Sequence, residues 1–147
     1  MGRSWGKRLW MLLLIANIAF IWGNSMLPGS ESQQLSDGFL RWLGFLLEPL
    51  GKYASLVLRK AAHFSEFACL GVLLAGFFRR RNLGTAALCG LLSACVDESI
   101  QLFSPGRFSS LVDVWIDFAG VLTGIALLHF GYILWKKTRK THKSEGT

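Results

Sequence analysis

The residues of this chain that could do chemistry are polar and ionisable side chains set within long apolar stretches. They are Asn24, Ser25, Arg59, Lys60, His63, Glu66, Asp97, Glu98, Gln101, Asp113 and Asp117, with Arg107 in a turn before the last two. Such side chains are costly in a bilayer unless they are paired or hydrated, so each needs a reason. Carboxylates beside a histidine suit acid–base chemistry or a divalent ion, and cations beside them suit an anionic ligand.

The spacing of these residues places them on common helix faces, because residues three or four apart are neighbours on a helix surface. The stripes are Arg59, His63, Glu66 and Leu70; Gly90, Ala94, Asp97 and Gln101; and Asp113, Asp117, Gly120 and Gly124. The last two glycines form a G-x-x-x-G pair, which lets a neighbouring helix approach closely. Each stripe has small residues in one part and polar residues in the other. This pattern predicts a helix bundle in which one half is tightly packed and the other half opens into a polar pocket.

Four stretches are long and apolar enough to be the helices that carry these stripes. A bilayer core about 30 Å thick takes roughly 20 helical residues, and the stretches are residues 9–27, 59–78, 83–103 and 111–135. With 52% hydrophobic and 17% charged residues, the composition favours a membrane protein over a soluble domain. The chain has no Gly-rich phosphate loop, which excludes a soluble nucleotide-binding enzyme. A cleaved signal peptide is the alternative for the first stretch, but its run is long and no A-x-A site follows.

The basic residues predict the orientation of these stretches. Eleven of the 16 Lys and Arg residues lie before the first stretch, between the second and third, or in the basic tail 136–147. If all four stretches cross the membrane, the positive-inside rule makes that side cytoplasmic, with both termini there. The net charge of +7 is therefore a topology signal, and no nucleic-acid partner is expected. At about 1.5 Å per residue, the polar residues fall in the outer half, so the pocket is predicted to face outside.

The segment between the first two stretches, residues 29–58, is predicted to contain an amphipathic helix. Its apolar residues at helical spacing are Leu35, Phe39, Trp42, Leu43, Leu46 and Leu50. Such a helix lies in the outer interface, as a connector over the bundle or as a lid over the pocket, and Pro49 is expected to break or kink it. The predicted fold is an all-α membrane protein, with one domain over residues 1–147. It comprises a four-transmembrane-helix bundle and this interfacial helix.

Structural roles stay open for several polar residues. Ser110-x-x-Asp113 before an apolar run is a capping-box pattern, so Asp113 could satisfy helix N-terminal amides. Arg107 follows a Pro105-Gly106 turn and could simply extend to lipid head groups. Paired acids and bases could likewise serve only to join helices. The three cysteines are interpreted as small packing residues within the stretches.

The motifs keep a fixed order along most of the chain. They are Asn24-Ser25-Met26-Leu27-Pro28, Arg59-Lys60-x-x-His63-Phe64-x-Glu66-Phe67, Asp97-Glu98-x-x-Gln101-x-Phe103, Pro105-Gly106-Arg107 and Asp113-x-x-x-Asp117-x-x-Gly120-x-x-x-Gly124. In this order they resemble the VanZ-like family of small bacterial membrane proteins. That family is named after an accessory protein of glycopeptide resistance clusters, which is associated with reduced susceptibility to teicoplanin. The resemblance implies a role in the bacterial cell envelope, with antibiotic resistance as one expectation.

Two functions fit such a pocket. In the first, the protein is an enzyme that acts on a lipid-linked or phosphate-bearing envelope substrate at the outer leaflet. The catalytic candidates are then His63, Glu66, Asp97, Glu98 and Asp117, and the substrate-binding candidates are Asn24, Ser25, Arg59, Lys60, Gln101 and Arg107. If a metal ion is present, Glu66, Asp97 and Asp117 could hold Mg²⁺ or another divalent cation that bridges to phosphate. In the second, the pocket only binds a membrane lipid, a cell-wall precursor or a glycopeptide, or braces a partner enzyme.

Overall fold

The computed structural model describes residues 2–47, 51, 53–78 and 82–144, and these residues form five α-helices and no strand. The helices are α1 (Gly2–Met26), α2 (Gly29–Leu47), α3 (Ala54–Phe77), α4 (Leu83–Leu102) and α5 (Leu111–Ser144). The predicted all-helical class is confirmed. The expected break at Pro49 and the basic residues 79–81 lie outside the described residues.

Three of the described helices contain segments long and apolar enough to cross a membrane: Gly6–Met26, Leu83–Leu102 and Leu111–Arg139. In their most apolar windows only 11%, 28% and 33% of the residues are buried within the fold. Large apolar side chains such as Leu12, Trp115 and Leu127 are therefore exposed, each by more than half of its surface. Apolar surface of this extent would be costly in water and is favourable against lipid chains, so these helices fit a membrane protein.

Helix α3 does not meet the same criterion, so the four-span bundle stays a prediction. Its N-terminal half carries Arg59, Lys60, His63 and Glu66, which lower the apolar character of the helix. Its other half is buried around Leu70 and packs among the other helices. Contacts join α3 most extensively to α5, and also to α1, α4 and α2, so α3 is the central helix of the described fold.

The ends of the helices differ in places from the predicted bounds. Helix α2 begins at Gly29, directly after Pro28, whose carbonyl accepts hydrogen bonds from the amides of Glu31 and Ser32. Helix α5 continues to Ser144, so helical structure extends into the basic tail. The interpretation of the cysteines as packing residues is wrong for two of the three. The side chains of Cys69 and Cys95 are exposed on the surfaces of α3 and α4.

The core consists of apolar side chains from four helices. Its buried members are Ile21, Phe67, Leu70, Leu74, Ala75, Ala86, Ala94, Val121 and Ile125. Most of them come from α3 and α5, the pair with the closest contact. The core therefore fills the centre of the bundle.

Glycines allow the backbones of α3 and α5 to touch, as the G-x-x-x-G pair predicted. A Cβ atom at Gly120 would collide with the carbonyl oxygen of Phe64, and one at Gly124 would collide with that of Ala68. Conversely, a Cβ atom at Gly71 of α3 would collide with the backbone of α5. Only a residue without a side chain fits at these crossings, and the close approach of α3 and α5 follows from this.

We expect Gly124→Ala to destabilise the protein, because the added methyl group overlaps the backbone of α3 and forces the helices apart. The cost should be about 1–3 kcal/mol, the range for overpacked sites. The matched control is Gly131→Ala in the same helix, where nothing lies within 4 Å of the added atom. That control should be as stable as the wild type or up to about 1 kcal/mol more stable, because alanine favours a helix more than glycine does. Denaturant unfolding in detergent micelles measures both changes, and equal stabilities would contradict the proposed packing.

Candidate functional site

The predicted polar residues meet at one end of the bundle, where α1 and α4 end and α3 and α5 begin. Asp97 and Gln101 lie in the last turns of α4, Asp117 lies in the second turn of α5, and His63 lies near the start of α3. The turn between α4 and α5 closes this end. We call it the polar end of the bundle.

His63, Asp97 and Asp117 form the most compact group at the polar end, and we call them the His63 cluster. One possible ligand atom from each side chain lies within 4.8 Å of the other two. The Nδ1 atom of His63 lies 3.9 Å from Oδ2 of Asp97. Asp97 and Asp117 are only 0% and 1% exposed. Three helices thus bring two buried carboxylates and an imidazole ring together.

Several atoms of the His63 cluster have no hydrogen-bond partner among the described residues. They are Nδ1 of His63, Oδ1 of Asp97 and both carboxylate oxygens of Asp117. Buried polar atoms in proteins are nearly always hydrogen-bonded, because an unpaired one loses its interactions with water and gains nothing. These atoms are therefore free to bind a water molecule, an ion or a ligand between the three side chains.

A chain of hydrogen bonds that involves Gln101, Ser25 and Ser104 holds the carboxylate of Asp97 in place. The Nε2 atom of Gln101 donates to Oδ2 of Asp97 over 2.9 Å, and it also lies 3.5 Å from the hydroxyl oxygen of Ser25. The hydroxyl of Ser104 donates to the carbonyl of Ser25 over 2.7 Å. Ser25 is fully buried, so this predicted substrate-binding residue is placed to orient other side chains. Ser104 was not among the predicted site residues, although it follows Gln101 by one turn.

Arg107 ties the turn between α4 and α5 to the end of α1. Its Nε atom donates to the carbonyl of Leu27 over 3.0 Å, and Nη2 donates to the carbonyl of Asn24 over 2.9 Å. The carbonyl of Asn24 lies in the last turn of α1 and also accepts a hydrogen bond from the amide of Leu27, the residue that follows the helix. Burial and the neighbouring Arg59 lower the pKa of the Arg107 guanidinium from its ordinary value. Arg107 thus reaches protein carbonyls, and not only lipid head groups.

The turn that carries Arg107 has the predicted Pro–Gly geometry. The amide of Arg107 donates to the carbonyl of Ser104 over 3.2 Å, and Gly106 has a φ of +72°. A positive φ at the third position of a turn favours glycine. A Cβ atom at Gly29 would collide with the backbone of Gly106, so this turn presses directly on the start of α2.

Glu66 lies beside the His63 cluster and is held by α1. The amide nitrogen of Asn24 donates to Oε1 of Glu66 over 3.1 Å, while Oε2 has no partner among the described residues. The metal set considered from the sequence contained Glu66 with the two aspartates. The structure instead groups His63 with Asp97 and Asp117.

Glu98 and Lys60 have partners of their own. The backbone amide of Ser110 donates to Oε2 of Glu98 over 2.9 Å, so this buried carboxylate holds the start of α5. The Nζ atom of Lys60 pairs with Oδ1 of Asp113. The capping-box interpretation of Asp113 is therefore replaced by an ion pair. The hydroxyl of Ser110 alone caps α5, by accepting a hydrogen bond from the amide of Val112.

Two cavities adjoin these residues. The first, of about 290 Å³, has several charged side chains in its wall and is lined by Leu56, Arg59, Lys60, His63, Glu98, Gln101, Gly106, Arg107, Phe108, Ser110, Asp113, Ile116 and Asp117. The second, of about 470 Å³, is mainly apolar and is lined by Phe20, Asn24, Leu27, Ser32, Leu35, Ser36, Phe39, Leu58, Arg59, Ala62, His63, Glu66 and Arg107. Arg59, His63 and Arg107 line both cavities. We call the two the polar cavity and the apolar cavity.

The motifs of the chain have a counterpart among known protein families. A family model described as VanZ/LLP1 matches residues 10–135, which cover the four predicted stretches except for residue 9. No curated protein and no solved structure matches the chain. The resemblance seen in the ordered motifs is therefore confirmed at the level of the family.

We expect Ser104→Ala to destabilise the polar end, because it removes a buried hydrogen bond to the carbonyl of Ser25. A lost hydrogen bond of this kind costs about 1 kcal/mol. The matched control is Ser99→Ala, where the exposed hydroxyl bonds only to the carbonyl of Cys95 in its own helix. Thermal unfolding of both variants in micelles tests the difference. If Ser104→Ala and Ser99→Ala melt together, the inter-helix bond contributes nothing.

Proposed function

Because the chain belongs to the VanZ/LLP1 family, we propose that it is a cell-envelope membrane protein that binds a phosphate-bearing lipid at the outer leaflet and acts on its head group. The observation that carries this proposal is the contact between the two cavities. A polar cavity and an apolar cavity share Arg59, His63 and Arg107 as a common wall. An amphiphilic ligand can place its head group in one and its chain in the other.

The polar cavity has the charge needed for an anionic head group. Arg59, Lys60 and Arg107 line it beside the first turn of α5. The N-terminal end of a helix carries partial positive charge and favours phosphate groups. Lys60 and Arg107 already have protein partners, whereas Arg59 has no hydrogen bond or ion pair within the described part of the chain. Arg59 is thus the cation with the most donors free for a ligand.

The apolar cavity suits the hydrocarbon part of the same ligand. Leu35 and Phe39 of α2 face it, opposite Phe20 of α1 and Leu58 of α3. Both α2 side chains are otherwise exposed, by 58% and 61% of their surfaces. An alkyl or isoprenoid chain in this cavity would cover them, and burial of apolar surface from water is favourable.

The carboxylates provide the groups for chemistry on the head group. Glu66 and the His63 cluster lie at or beside the wall that the cavities share. Carboxylates and an imidazole in a partly dry site are suited to general acid–base catalysis on a phosphate ester. Action on a lipid-linked cell-wall precursor would also account for the teicoplanin tolerance that the family resemblance implies.

Binding without catalysis is the second candidate, and the hydrogen bonds of the polar end favour it. Gln101, Ser104 and Arg107 connect α4 and its following turn to α1. A polar end built in this way could hold a lipid or brace a partner enzyme without turning over a substrate. Whether the lipid is recovered unchanged or converted after incubation distinguishes a binding protein from an enzyme.

The same proposal includes an arrangement in the membrane. Helices α1, α4 and α5 cross the bilayer, α3 crosses as the fourth helix with its polar half in the outer leaflet, and α2 lies in the outer interface. Both termini and the basic segments are then cytoplasmic, in agreement with the positive-inside rule. This places the polar cavity on the outer side.

Labelling of single cysteines tests this arrangement. In a background without Cys69, Cys89 and Cys95, an impermeant thiol reagent added to intact cells should label Gln33→Cys and Phe108→Cys. It should not label His142→Cys until the cells are opened. Phe108 is a suitable position because it is 90% exposed. Labelling of His142→Cys from outside would overturn the orientation.

Lipid binding tests the proposed function. Purified protein in micelles should bind dioleoyl phosphatidic acid more tightly than dioleoyl phosphatidylcholine, because only the former presents a bare phosphate to Arg59. Arg59→Gln should weaken binding of phosphatidic acid by about tenfold, the loss of one charge-assisted hydrogen bond. Arg8→Gln, a charge change in α1 far from both cavities, is the matched control. Equal affinities for the two lipids would contradict the proposal.

Recovery of the lipid in the same experiment distinguishes an enzyme from a binding protein. An enzyme should convert phosphatidic acid or a long-chain isoprenoid phosphate during incubation, as measured by mass spectrometry. Glu66→Gln keeps the size of the side chain and should abolish conversion while binding persists. If the wild type binds phosphatidic acid and the isoprenoid phosphate and both are recovered unchanged, the protein is a binding protein.

A further inference from the structure

We propose that the His63 cluster is a binding site for a single divalent transition-metal ion, Zn²⁺ or Mn²⁺, with an open coordination position that faces the polar cavity. The role of this ion in polarising a lipid head group rests on the proposed function. Metal binding itself is independent of any lipid, so the two proposals can fail separately.

The distances within the cluster fit three ligands of one ion. The candidate ligand atoms of His63, Asp97 and Asp117 lie within 4.8 Å of one another. Nitrogen and oxygen ligands lie about 2.0–2.2 Å from zinc, so two of them are at most about 4.4 Å apart. Small side-chain rotations would bring all three atoms to bonding distance.

The two buried carboxylates of the His63 cluster would be stabilised by a cation between them. Asp97 and Asp117 are almost fully buried, and both oxygens of Asp117 are without partners in the described part of the chain. The carboxyl group of Asp117 lies among other acidic side chains, which include Asp97, Glu98, Asp113 and Glu66. A buried pair of carboxylates is costly unless it is neutralised. A divalent ion supplies two positive charges at the point where the unpartnered atoms converge.

The surrounding hydrogen bonds orient the ligands as in known metal sites. Gln101 donates to Oδ2 of Asp97, which leaves Oδ1 of the same carboxylate unpartnered. Partners in this position fix the orientation of a ligand and are a regular feature of metal sites. Glu66 is held by Asn24 on the side of the apolar cavity and does not belong to the compact group of possible ligand atoms.

The types of ligand indicate the class of metal. Imidazole nitrogen favours Zn²⁺ and other transition metals, whereas Mg²⁺ prefers oxygen ligands alone. Three protein ligands leave at least one coordination position for water or substrate, as in catalytic zinc sites. His63 and Asp117 both line the polar cavity, so that position opens toward the proposed head group.

Metal titration of the purified full-length protein tests the site. The protein is treated with chelator, and Zn²⁺, Mn²⁺ and Mg²⁺ are added separately, in a background in which Cys69, Cys89 and Cys95 are replaced by alanine. Bound metal is measured by mass spectrometry after desalting, and thermal unfolding is followed in parallel. We expect one Zn²⁺ or Mn²⁺ per chain and a higher melting temperature with metal.

Variants identify the ligands. Asp117→Asn and Asp97→Asn should each bind the metal at least about tenfold more weakly, since even changes behind the ligands cost that much. Asp37→Asn, which removes an exposed carboxylate on α2 that lines neither cavity, is the matched control and should bind as the wild type does.

The melting temperature of each metal-free variant shows whether the variant is folded. Metal-free Asp117→Asn should melt at or above the temperature of the metal-free wild type, because a buried unpaired charge has been removed. Only the wild type and the control should gain stability from the metal. Three results would overturn the proposal: no binding by the wild type, equal binding by Asp117→Asn, or a preference for Mg²⁺ over both transition metals.

Discussion

At Gly120 and Gly124 the backbone of α5 lies against the backbone of α3, and no side chain can stand between the two helices. Asp117 lies one turn before Gly120, and His63 directly precedes Phe64, whose carbonyl faces Gly120. The same close crossing that packs the apolar half thus brings a carboxylate and an imidazole together just beyond it. Side chains large enough to separate the helices would also separate these two groups.

The remaining wall of the site depends on α1 and α4, and polar contacts join these helices. Arg107 and Ser104 bind the carbonyls of Leu27 and Ser25 at the end of α1, where backbone oxygens have no amide partner within the helix. In lipid such oxygens have no water to bind. The end of α1 and the turn therefore stabilise each other, and Asp97 is positioned through Gln101 as part of the same network.

The sequence allowed the convergence of polar residues to be predicted, because spacing and distance along each helix depend only on residue number. Spacing does not determine how each helix is rotated against its neighbours. For this reason the structure was needed to show that His63, rather than Glu66, accompanies the two aspartates. The pairing of Lys60 with Asp113 joins residues 53 positions apart and has no local signal. Glycine spacing, by contrast, correctly predicted that a neighbouring helix approaches α5 closely, and only the structure shows that this neighbour is α3.

The start of α2 is fixed to the turn that closes the polar end. The amide of Gly29 donates to the carbonyl of Pro105 over 2.9 Å, and the two backbones leave no room for a side chain at Gly29. A displacement of α2 that preserves this attachment can only pivot the helix about its first residue. Leu35 and Phe39, which lie further along, would then swing away from the apolar cavity. None of the α2 side chains that the structure describes lines the polar cavity, so such a pivot would open a sideways path for a hydrocarbon chain and leave the charged wall in place.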